Sequence, residues 1–132
     1  MYRFRSRYVY KKYSIRFINQ MGVIEMIIVT TENIPGYRVT NVLGSTFGVV
    51  VRARGIGGDI MASFKGLVGG EIKQYTQMIE DGRRQALDRM VESAHTMGGN
   101  AVVMMRFDSG DIGSSMSEIV AYGTVVTIEP IT

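Results

Sequence analysis

The stretch from Ile72 to Met97 constrains the fold more than any other region of this chain. Ile72, Tyr75, Ile79, Ala86, Leu87, Met90, Val91, Ala94 and Met97 recur at helical spacing and form one apolar stripe. Arg83, Arg84, Asp88, Arg89 and Glu92 mostly occupy the other faces. Glu71 in the first turn suits the positive end of the helix dipole, and Gly98 and Gly99 supply a C-terminal stop. A helix of this length must lie on something broad, and the flanking segments read as strands. The doublet Gly69-Gly70 bends the chain into this helix from a shorter one expected at about residues 60–67. Asp59 is placed to cap that short helix.

The strands are read from β-branched runs. "MIIVTT" (26–31) is a first strand, followed by turn chemistry from Asn33 to Gly36. "YRVTNVLGSTFGVVVRA" (37–53) is a long strand broken by a bulge, or a hairpin, with Gly44 and Gly48 as the irregular points. Val49–Val51 read as a compact buried run. "NAVVMMRF" (100–107) is a buried-type strand, "DSGDIGSS" a loop, and "EIVAYGTVVTIE" (118–129) the last strand. The expected class is α+β: a small antiparallel-type sheet packed on one long helix plus a short one. Apolar surface left over by so small a sheet points to an oligomer.

Charge divides the chain in two. Residues 1–25 carry six basic groups and one acid, whereas residues 26–132 carry nine basic and eleven acidic groups. The formal net charge of +3 therefore belongs to the leader, and residues 26–132 are not expected to bind nucleic acid. The leader also holds four of the seven tyrosines, an interleaving with arginine that suits single-stranded nucleic acid. Domain-like patterning begins at Met26, so residues 1–25 are expected to be a non-native or disordered basic extension and 26–132 a single domain. No stretch reaches the roughly 18 apolar residues of a membrane span, so no membrane partner is expected. The chain has no cysteine, which rules out disulfides and thiolate metal sites and fits a reducing, cytoplasmic setting.

At "GGDIMASFKGLVGG", Tyr75, Arg84, Ala86, Ala94, "MGGNAVV" and "AYGTVV", the chain resembles the YbjQ-like family, an uncharacterised family with a heavy-metal-binding label. The resemblance covers about residues 26–129. It implies a subunit similar to that of dodecin, a sheet wrapping a helix, assembled as a homopentameric ring or two stacked rings. It implies no activity.

Candidate chemistry is sparse. "RARGIGGD" offers an anion site, with Arg52 and Arg54 as charge and glycine N–H groups as donors, although Asp59 would satisfy the same donors. Glu92 and His95 have the carboxylate–histidine spacing of di-iron bundles, with Asp88 one turn earlier. Such a face would hold a divalent metal ion only with matching groups from other copies; otherwise it is a solvated helix face. Ten methionines raise a soft-metal site, but most sit where core filler belongs. Asp108, Asp111 and Glu118 match no calcium-loop spacing. The leading expectation is a cytoplasmic homo-oligomer that binds a metal ion or small ligand without catalysis. The alternatives are an enzyme with its site between subunits, using Glu71, Tyr75 or Arg84, and a purely structural ring.

Overall fold

The computed structural model describes residues 8–10, 12, 14–19, 22–53 and 73–132. The expected short helix at 60–67, Asp59 and Gly69-Gly70 lie outside them. Among the described residues, six strands form one sheet: β1 (Tyr8–Tyr10), β2 (Ser14–Asn19), β3 (Gly22–Ile28), β4 (Tyr37–Ala53), β5 (Ala101–Ile112) and β6 (Met116–Pro130). Their order across the sheet is β1-β2-β3-β5-β6-β4. The long helix, α1 (Lys73–Thr96), lies across it. The class is α+β, as expected. The sheet is mixed rather than antiparallel throughout, because β3 runs parallel to β5 at Ile27↔Ala101 and Ile28↔Val102. The other pairs are antiparallel.

The expected strand over 26–31 is only partly strand. Val29 and Thr31 lie past the end of β3 yet still engage β5: Val29 N donates to Val102 O at 3.0 Å, and Thr31 O accepts from Met104 N at 3.1 Å. Upstream, β3 begins at Gly22 and pairs along its length with β2. Stretches of the segment expected to stand outside the domain therefore form strands, and Ser14 and Ile15 are buried. Glu25 accepts from both Ser14 Oγ and Arg16 Nε, which ties β2 to β3.

The irregular region of β4 is a continuous 17-residue strand with two register shifts, between Val39 and Asn41 and between Val42 and Gly44. Gly44 adopts φ 126°, a left-handed backbone open to glycine. Gly48 has a different role. A methyl group there would collide with the backbone of α1 at Ala86 O and Met90 N, so glycine lets helix and strand approach closely. Gly82 repeats the device from the helix side, where a Cβ would lie 2.7 Å from Ile119 Cδ1.

"DSGDI" is strand rather than loop. Asp108 to Ile112 continue β5 and pair with Met116 to Val120 of β6, and Gly113 to Ser115 make the turn. This arm is mostly exposed, so backbone pairing holds it without the apolar alternation that marks a packed strand.

The main core lies between α1 and the sheet, where Met90, Val91, Ala94, Val102, Ala121 and Val125 are fully buried. A smaller cluster of Ala101, Val103, Val126 and Ile128 packs with Ile27, Val29 and Ile34. Asn100, at the head of β5, clamps β6: its Oδ1 accepts from Ile128 N at 2.7 Å and its Nδ2 donates to Ile128 O at 3.0 Å. The C-terminus of α1 closes as expected, with Gly98 at φ 88° and Gly99 N donating to Ala94 O.

Candidate functional site

The apolar stripe of α1 divides in two. Ala86, Met90, Val91 and Ala94 are sealed against the sheet, whereas Tyr75, Ile79 and Met97 are exposed. The candidate residues follow the same division. Tyr75 and Arg84 are both exposed on α1 and nine residues apart, which is about 13.5 Å along the axis and on opposite sides of it. In a single copy they do not converge on one small ligand. Arg52 lies on the helix side of β4, donates from Nη2 to Gln85 Oε1 at 3.2 Å, and packs beside Gly82. Arg54, Asp59 and Glu71, which complete the anion-site and interfacial readings, lie outside the described residues.

Asp88, Glu92 and His95 share one side of α1, as their spacing requires. Asp88 and His95 are half-buried and Glu92 is exposed. Among the described residues, no group of three or more histidine, aspartate or glutamate side chains comes together to hold a metal ion. With no cysteine in the chain, the described residues of one copy do not fit a heavy-metal site. Of the methionines, Met26, Met90 and Met105 are core, while Met97, Met104 and Met116 reach solvent from separate places.

Sequence pattern alone misses the other side of the sheet. Phe47 of β4 pairs with Tyr122 of β6, which in turn pairs with Arg106 of β5, so the three make a row across adjacent strands. Neighbouring Thr46 and Gly48 face α1, so this row points away from the helix. Phe47 is 64% exposed, Val51 50% and Tyr122 43%. The run Val49–Val51, expected to be buried, is buried only at Val50. Its period-2 alternation was the available signal, but both faces are apolar, and that reads as a strand covered on both sides.

On the opposite, helix side of the sheet a shallow cavity of about 110 Å³ is lined by Arg83, Phe107, Asp108, Ser109 and Ile119. Arg83 lies over the Phe107 ring at 5.4 Å, and the Asp108 carboxylate accepts from Ser109 N at 2.8 Å. Both charged groups are thus engaged within the protein.

Comparison with known proteins adds a family and no reaction. Residues 26–129 match the model of the YbjQ family, described as "Putative heavy-metal-binding". The chain is similar to UPF0145 protein BRADO6695 of Bradyrhizobium sp. (strain ORS 278), with 65% identity over 80% of this chain and 95% of that protein. A UPF0145 protein of Methanocella arvoryzae is 53% identical over 82% of this chain and 90% of its own length. The fold resembles the crystal structure of a protein of unknown function from Pediococcus pentosaceus assigned to the DUF74 family. That match has 16% identity and a TM-score of 0.52, and covers 79% of this chain and 98% of that one.

Proposed function

The chain belongs to the YbjQ family, and from that premise we propose that it acts as a self-assembled, non-catalytic protein whose ligand site is completed between copies. The observation that carries this reading is the uncovered row of large apolar side chains, Phe47, Val51 and Tyr122, together with the exposed Tyr75 and Ile79 of α1. Exposed apolar surface of this kind marks an interaction face. A ring of five similar to dodecin, or two stacked rings, is the assembly favoured by the family resemblance, and a cytoplasmic location belongs to the same proposal. Among the described residues, no helix is long and apolar enough to cross a membrane.

The ligand proposed is a divalent metal ion or another small molecule held between subunits. For a metal, the donor face of Glu92 and His95 would need the matching face of a neighbour, since the described residues of one copy supply too few donors. Native mass spectrometry of untagged protein, with and without added Zn²⁺, tests both claims. The expected result is a discrete multimer that takes up a fixed number of ions per copy, with uptake lost in His95→Ala. A single copy at all concentrations would overturn the assembly. A multimer whose zinc uptake is unaffected by His95→Ala would overturn this donor face.

A further inference from the structure

We propose that the outer edge of β4, which no strand covers among the described residues, is a strand-docking site for the β4 of a second copy, with Arg89 as a latch that competes for it. This rests on the assembly proposed above and specifies one of its contacts. β4 ends the sheet order, so it pairs with β6 on one side, and among the described residues no strand lies on the other. Between Arg38 and Arg52 the strand carries no charge and no proline. Long uncharged edges recruit other strands, and proteins usually blunt them with lysine, proline, bulges or a covering element. Here the two register shifts distort only the stretch before Gly44, leaving Ser45 to Ala53 in regular pairing with β6.

Along that regular stretch the guard is Arg89 of α1, which donates from Nη1 to the carbonyl oxygen of Val49. A docking strand would claim that same oxygen. The occupant follows from length and symmetry. The opposite edge of the sheet, β1, has three residues and cannot match a strand of this size. A second β4 matches it fully, antiparallel about a two-fold axis. With that axis perpendicular to the sheet, the two helices stay on one side. The Phe47, Val51 and Tyr122 rows of the two copies then join into one apolar surface.

Such a contact is isologous, so it joins copies in pairs, and any closed assembly containing it has an even copy number. A five-membered ring would become ten. Sedimentation equilibrium and native mass spectrometry of the full chain test this with three variants. Val49→Lys sets two like charges near the axis and is expected to halve the copy number. Val51→Lys, at a half-exposed position, should do the same and covers the case in which the first variant misfolds. Arg89→Ala removes the competing bond from both copies and should tighten pairing of the halves about a hundredfold, roughly tenfold for each hydrogen bond to a charged group. An odd copy number, or assembly indifferent to both lysines, would overturn the edge pairing while leaving a ring intact. Unchanged affinity in Arg89→Ala would overturn the latch. A single copy throughout would overturn the assembly itself.

Discussion

Around Gly48 and Tyr122, the two faces of the β4–β6 ladder are built from the same strands and are opposites. Toward α1 the ladder presents Thr46, Gly48, Val50, Ala121, Gly123 and Val125, small or medium residues that are all buried. Away from α1 it presents Phe47, Val51 and Tyr122, residues that water reaches. Around Gly48 the smallest side chains lie under the helix and the largest lie where nothing among the described residues covers them; farther along, the outer face is closed by Ala101, Val103, Val126 and Ile128. The first pattern follows from the helix backbone lying almost on Gly48, which leaves no room for bulk. The second has no counterpart among the described residues of one copy. Burying an aromatic side chain of this kind contributes on the order of 2–3 kcal/mol, and here that gain is unrealised until something covers the face.

Three substitutions sharpen the contrast, measured by chemical denaturation at fixed chain concentration because assembly couples to stability. Met90→Ala, in the sealed core, should cost about 3 kcal/mol, as the cavity it leaves is closed to water. Gly48→Ala should cost about 2 kcal/mol by forcing α1 away from the sheet. Phe47→Ser should change the stability of a dissociated copy by less than about 0.5 kcal/mol while weakening assembly. A large loss of single-copy stability in Phe47→Ser would mean that the open face is packed within its own chain, and the contrast would fail.

Much of the helix was legible in the sequence because a 3.6-residue period is written in its side chains. Its capping glycines at 98 and 99 were equally plain, since a left-handed turn at Gly98 has few alternatives. Which half of the stripe is sealed was not legible: Tyr75 and Ile79 carry the same period as Met90, and only the extent of the sheet beneath them decides. The far end of β5 was missed for a related reason. Asp108 to Ile112 are held by backbone pairing with β6, which leaves no mark on the choice of side chain. The parallel pairing of β3 with β5 was also hidden, because it depends on the route of the chain through β4 and α1. The basic leader hid β1 and β2, since charge said more about its surface than about its pairing.

The candidate site was legible only in outline. Spacing put Asp88, Glu92 and His95 on one side of α1 but could not say what stands opposite them. The Phe47–Tyr122–Arg106 row could not be found by spacing at all, since its members lie 16 to 75 residues apart and meet only through strand register. Arg89 reads in the sequence as a solvated helix position; its bond to Val49 becomes meaningful only once β4 is known to be an edge.

Amide hydrogen exchange of the whole chain at high and low protein concentration tests most directly whether a second copy covers β4. On dilution, the edge-facing amides of Ser45, Phe47, Val49 and Val51 should lose protection, while those of Thr46, Gly48 and Val50, bonded to β6, and of Val102 and Val125 in the sealed core keep theirs. Equal protection of the edge-facing amides at every concentration would contradict it.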